Sequence, residues 1–122
     1  MVTDHSSLGV VTFRRAVELS SNVAALKISL AVGRDLMYKT AKDLGFDAKT
    51  GIELPGESAG EIHDVETWSQ MEQAAIGFGN GLTVTALQLC NAFAAVGAGG
   101  ELYRPHVLKA IISPDGGIIT RV

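Results

Sequence analysis

From Val23 to Val32 the chain is apolar almost all round, interrupted only by Lys27 and Ser29. A helix with that pattern has no polar face to turn to water, and such helices are ordinarily buried inside a larger body. The segment therefore calls for a packed core around it. The composition can supply one: the 122 residues are 47% hydrophobic and 19% charged, which excludes a disordered tail and fits one small domain. Just before the apolar run, Ser20-Ser21-Asn22 breaks the helical pattern. Serine and asparagine are favoured at helix N-caps, so the simplest reading of these three residues is the start of a helix.

The flanking segments read as further helices. Thr12 can cap a short one over residues 14–19, with Ala16, Val17 and Leu19 on its apolar face. After Gly33, a third helix is expected over residues 35–44. It would carry Leu36, Met37, Thr40, Ala41 and Leu44 on one side, and Gly45 would stop it. Periodicity then disappears between residues 46 and 66, where Gly51, Pro55, Gly56 and Gly60 indicate a long ordered loop with short extended pieces. A helix is expected before the turn-forming run Gly77-Phe78-Gly79-Asn80-Gly81. Another follows it, capped by Thr83 or Thr85 and ending near Val96, with Leu87, Cys90, Phe93, Ala94 and Val96 directed inward. Residues 103–112 read as a strand, Ser113-Pro114-Asp115-Gly116-Gly117 as a turn, and residues 118–122 as the return strand of a hairpin. A five-residue arm is short for a closing strand, and with the apolar helix it suggests a piece of a larger domain.

Several function classes are excluded or left without support. The net charge is −3 with no basic cluster, so no nucleic-acid face is visible. No apolar stretch reaches the roughly 18 residues that a membrane span needs. The start, Met1-Val2-Thr3-Asp4-His5, lacks the basic and apolar regions of a signal peptide. Cys90 is the single cysteine and has no partner for a disulfide or a zinc site. His5, His63 and His106 are too far apart for ligand spacing, so neither a metal nor a cofactor is expected. Asp64 and Glu66, with Glu53, Glu57 and Glu61, could form a catalytic carboxylate pair, but a solvated acidic loop is the default reading. Phosphate-loop, zincin and nucleophile-elbow motifs are absent, and Gly77-x-Gly79-x-Gly81 fails the dinucleotide pattern at Leu82.

One resemblance covers nearly the whole chain, in order. The stretch from Glu18 to Ile28, centred on Ser20-Ser21-Asn22, resembles the second active-site motif of penicillin-binding proteins, the Ser-x-Asn motif. Leu44-Gly45-Phe46-Asp47, followed by Thr50-Gly51-Ile52-Glu53-Leu54-Pro55-Gly56-Glu57, is similar to that family's TGI-[DE]-LPGE segment. Phe78-Gly79-Asn80-Gly81-Leu82-Thr83-Val84-Thr85-Ala86-Leu87-Gln88-Leu89 resembles its FGxGLxVTPLQL run, with Ala86 where proline is common. Asn91 to Val96, Gly99-Gly100 and Arg104-Pro105-His106 match its later pattern. The Ser-Ser-Asn-Val form and the LPGE loop most resemble the monofunctional class B enzymes, which cross-link peptidoglycan.

The resemblance implies an α+β fold like that of penicillin-binding proteins and β-lactamases, an antiparallel sheet packed by helices. Residues 1–122 would form a partial transpeptidase domain, mostly the helical lobe plus a C-terminal β-hairpin. In such enzymes a serine attacks the carbonyl between two terminal D-alanines and forms an acyl-enzyme, assisted by a lysine. By resemblance, Ser20 would relay a proton to the leaving amine. Asn22 would hydrogen-bond the substrate's peptide carbonyl and help hold the lysine, with Ser21 a spacer pointing away. The implied partners are the peptidoglycan stem peptide and β-lactams. The parent protein would be anchored in the inner or plasma membrane, with its catalytic part outside, in a cell-wall synthesis complex.

Two of the family's three motifs have no working copy here. None of the eight serines is followed by lysine three residues later, so the chain holds no Ser-x-x-Lys nucleophile. Lys49-Thr50-Gly51 matches the third motif in letters only, because it precedes the segments that the functional triplet should follow. The isolated chain is therefore expected to be inactive. It is also expected to self-associate through an open sheet edge and an apolar helix face, with hairpin exchange as one route. Two alternatives share the Ser-x-Asn signal: a serine β-lactamase or β-lactam sensor domain, and a non-catalytic helical interaction module.

Overall fold

A computed structural model describes residues 2–5 and 8–121. They fall into two compact units, one drawn from Met1–Ala41 with Ile62–Thr83, the other from Lys42–Glu61 with Val84–Val122.

The first unit is built on helices. Thr12 caps α1 (Phe13–Glu18), its hydroxyl accepting the Arg15 N–H at 3.3 Å. Helix α2 (Asn22–Val32) follows after a three-residue break and ends at Gly33, whose φ of 84° suits glycine alone. Helix α3 (Arg34–Asp43) starts at the next residue. Strand β1 (Glu61–Ile62) brings the chain back, and its Ile62 is buried in this unit. A single 3-10 turn over Val65–Thr67 then leads to Trp68. Trp68 is buried; its indole N–H donates to the His63 carbonyl at 3.0 Å, and its ring meets Tyr38 of α3 edge-on at 5.8 Å. Helix α4 (Gln70–Gly77) begins with a capping box in which Ser69 and Glu72 each bind the other's backbone N–H. Strand β2 (Leu82–Thr83), which pairs with β1, closes the unit.

The apolar helix α2 packs on α4 through its one small polar residue. The Ser29 hydroxyl donates to the Gln73 carbonyl at 2.8 Å, and the Gln73 amide donates to the Ser29 carbonyl at 2.7 Å, both buried. A Cβ on Gly77 would lie 2.5 Å from that of Ser29, so the helices touch where a side chain is missing. Ser29 is the only fully buried residue of α2, while Leu30 and Val32 are exposed. Within these 122 residues α2 is therefore covered on its α4 side and leaves an apolar face open, as expected for this helix in a piece of a larger domain. Close approach favours the smallest side chain at the contact, and the larger apolar ones stand outside it.

The second unit wraps an irregular loop around α5 (Ala86–Gly97). Thr85 caps the helix and forms a capping box with Gln88. Gln88 is 1% exposed. Its amide N–H groups reach the Ala48 carbonyl at 2.8 Å and the Ala59 carbonyl at 2.6 Å, so one side chain holds both ends of the loop. Ala92 and Ala95 are the other buried residues of α5, whereas Cys90, Phe93, Ala94 and Val96 are exposed. The predicted inward face was therefore placed wrongly. The loop carbonyls require a buried donor and small neighbours, which Gln88, Ala92 and Ala95 provide and the larger apolar residues do not.

Strand β3 (Ala110–Ile112) pairs antiparallel with β4 (Ile118–Arg121), with Ala110 opposite Arg121 and an irregularity after Ile111. The expected strand over 103–112 is shortened to its last three residues. Residues before it are tied to the loop by side chains instead of a ladder: Arg104 donates to the Gly51 carbonyl at 2.6 Å, and Glu53 accepts the Val107 N–H at 3.1 Å. Val122, expected in the return strand, lies outside the described residues.

Candidate active site

The break between α1 and α2 is a tightly specified turn. At the end of α1 the Ser20 N–H donates to the Val17 carbonyl and the Ser21 N–H to the Ala16 carbonyl, both at 3.0 Å. Those two bonds are the Schellman ending of a helix, which places the residue after the cap in the left-handed region and normally selects glycine there. Ser20 occupies that position at φ 51°. A residue with a Cβ is strained in this conformation, and such strain tends to collect at functional positions.

Ser21 starts α2. Its hydroxyl accepts the Ala24 N–H at 3.0 Å and donates to a carboxylate oxygen of Asp4 at 2.7 Å. The other oxygen of Asp4 accepts the Val23 N–H at 3.2 Å. The Ser21 hydroxyl is the main influence holding the Asp4 carboxyl below its ordinary pKa, with the backbone N–H groups adding to it against an opposing desolvation effect. Ser21 is buried, and its hydroxyl is committed to Asp4 and the start of α2, which adds a structural duty to the middle residue of the motif. The helix cap belongs to it and to neither Ser20 nor Asn22.

Ser20 and Asn22 are both exposed, and among the described residues neither side chain has a hydrogen-bond partner. They border a cleft of about 250 Å³ whose walls include Ala16, Val17, Ile28 and Phe78. The turn thus offers a hydroxyl and a carboxamide, two residues apart, at the rim of an apolar cleft. Such groups can relay a proton and hold a carbonyl.

The remaining candidates have structural duties. Lys49-Thr50-Gly51 lies in the irregular loop, not on a strand. The Glu57 carboxylate accepts the Thr50 N–H at 2.7 Å, the Thr50 hydroxyl at 2.5 Å and the Gly51 N–H at 3.2 Å. The Thr50 hydroxyl is the principal cause of a lowered pKa at Glu57. Asp64 accepts the Glu66 N–H in the 3-10 turn, and Glu66 lies 3.5 Å from the Arg34 guanidinium. No group of three or more His, Cys, Asp or Glu among the described residues could hold a metal ion. No helix among them is long and apolar enough to cross a membrane.

Sequence reasoning missed Asp4 and the burial of Gln88. Nothing local marks Asp4, which stands 17 residues before Ser21. Gln88 had a readable signal, since Thr85-x-x-Gln88 has the spacing of a capping box.

With this fold and this turn in view, comparison with known proteins places the chain. It belongs to the penicillin-binding protein transpeptidase domain family, whose model matches residues 2–121. It is 37% identical over 106 residues to the stage V sporulation protein D of Bacillus subtilis, covering 87% of this chain and 16% of that protein. With the peptidoglycan D,D-transpeptidase FtsI of Escherichia coli K12 it shares 32% identity over 116 residues, 95% of this chain and 20% of the relative. The structure of penicillin-binding protein 3 from Mycobacterium tuberculosis in complex with ampicillin superposes with a TM-score of 0.90 at 34% identity. That match covers 99% of this chain and 27% of the other. The expected α+β fold, part of a transpeptidase domain, is therefore the observed one. The chain spans a fifth or less of these two curated relatives.

Proposed function

We propose that this chain is the Ser-x-Asn-bearing part of a class B penicillin-binding protein, a serine D,D-transpeptidase that cross-links peptidoglycan stem peptides and is acylated by β-lactams. The observation that carries the reading is the Ser20-Ser21-Asn22 turn: strained at Ser20, locked at Ser21, and presenting two uncommitted polar side chains over a cleft. Ser20 and Asn22 are the residues assigned to the chemistry. The nucleophilic serine, its lysine and the functional Lys-Thr-Gly are supplied by residues outside these 122.

In this mechanism the nucleophile's oxygen bonds to the carbonyl carbon of the penultimate D-alanine, and the bond to the terminal D-alanine's nitrogen breaks. The nitrogen leaves as an amine after taking a proton, which passes through the Ser20 hydroxyl. The Asn22 carboxamide can donate to a peptide carbonyl of the substrate and accept from the lysine ammonium, fixing both in place. Holding groups in reactive geometry is worth several kcal/mol, on the order of 7–11 in the best-oriented cases. Membrane anchoring of the parent, an active site on the outer side, and membership of a cell-wall synthesis complex follow from the same reading.

Labelling with a fluorescent penicillin tests it. The full-length protein should take up one equivalent at a serine of a Ser-x-x-Lys sequence, and the 122-residue chain none. An adduct on Ser20 of the isolated chain, or an unlabelled full-length protein, would overturn the assignment.

A further inference from the structure

We infer that Asp4 is a positioning residue for the transpeptidation turn: its carboxylate bridges the Ser21 hydroxyl and the Val23 N–H, and so holds Ser20 and Asn22 in the geometry that acylation requires. This rests on the function proposed above and adds to it a residue from outside the motif.

The need for a clamp follows from the strain. Ser20 sits at a φ that disfavours every residue with a Cβ, so the turn persists only where its surroundings over-determine it. The two bonds ending α1 hold the turn from the N-terminal side. On the C-terminal side an ordinary cap would leave the Ser21 hydroxyl free to rotate. Asp4 removes that freedom, because the hydroxyl must donate to the carboxylate while accepting from Ala24. Its second oxygen takes the Val23 N–H, one of the donors that a helix start leaves without an intrahelical partner. Bonds to both Ser21 and Val23 leave Asn22 between two tethered residues. The negative charge also lies at the favourable end of α2.

The other caps show what helix initiation by itself requires. Thr12 caps α1 by a contact within three residues, and Ser69 and Thr85 use capping boxes of the same reach. Among the described residues, Ser21 is the one cap whose hydroxyl is also held by a distant side chain, and it is the one that adjoins the strained serine. Starting α2 does not require Asp4; fixing the turn before it does.

The test measures penicillin acylation of the full-length protein by stopped flow, separating the affinity constant K for the non-covalent complex from the acylation rate constant k2. In Asp4→Ala we expect k2 to fall about 10- to 100-fold, with K within twofold and thermal unfolding still well above the assay temperature. Asp4→Asn serves if the alanine variant does not fold. Its carboxamide offers one acceptor oxygen in place of two, so either the Ser21 hydroxyl or the Val23 N–H loses its acceptor, and a smaller fall in k2 is expected, again without a change in K. A folded Asp4→Ala or Asp4→Asn protein with wild-type k2 would overturn the clamp. A loss confined to stability would do the same, since a purely structural contact has no reason to change k2 selectively. Failure of the wild-type protein to be acylated is a different outcome: it removes the proposed function and the clamp's catalytic meaning with it.

Discussion

Ser20 shows how a single residue can set stability against chemistry. Its left-handed backbone is the place where a helix ending calls for glycine, yet a hydroxyl stands there instead. Ser20→Gly should therefore raise stability by about 0.5–1 kcal/mol, as strain relief outweighs the added freedom of the unfolded chain. Urea denaturation of the two chains measures this directly. If the glycine variant proves less stable, the hydroxyl has a structural partner and the reading of Ser20 as a chemical group weakens. In the full-length protein the same substitution should remove the proton relay and slow acylation. Asp4 and Ser21 belong to this scale as well. They show that the middle residue of the motif, letter for letter the least informative, is the one that anchors it.

At the scale of elements, helix ends follow local chemistry and helix faces do not. Thr12, Ser21, Ser69 and Thr85 each cap where a side-chain oxygen reaches an N–H three residues on, and this is legible in sequence. The buried face of α5 was not legible. An apolar ranking puts Phe93 and Val96 inward, but they are 72% and 70% exposed, and the buried position is a glutamine. Gln88 has that place because the loop from residue 45 to 59 cannot pair its carbonyls in a sheet and needs a donor from the helix. Gln88→Ala would strip the Ala48 and Ala59 carbonyls of their donor and leave a void. We expect a loss of about 3 kcal/mol. Limited proteolysis should then cut the loop well before the helices; a variant as resistant as the parent would mean that the loop is held elsewhere.

For the whole molecule, the surface carries the next prediction. In the second unit Phe93 and Val96 on α5, and Ile111, Ile112, Ile118 and Ile119 on the hairpin, all stand exposed. Apolar surface of that kind, with a two-stranded hairpin whose outer edges are open, favours association. The 122-residue chain should therefore form dimers or larger species whose population rises with concentration in light scattering. A clean monomer at high concentration would count against this.

The amino-acid sequence alone determined the family, the order of the motifs, the Thr12 cap and the helix break at Ser20-Ser21-Asn22, and the absence of a Ser-x-x-Lys. All of these are properties of residue type and spacing, and they survive without coordinates. Only the tertiary structure decided which member of Ser20-Ser21-Asn22 is structural and which are uncommitted. That distinction depends on Asp4, 17 residues away, whose carboxylate reaches the turn through folding and not through any local rule. It likewise decided that Ser29, Gln73 and Gln88 are buried while Leu30, Phe93 and Val96 are not. Burial answers to the close approach of backbones and to the pairing of every buried polar group, and neither constraint is written in hydropathy.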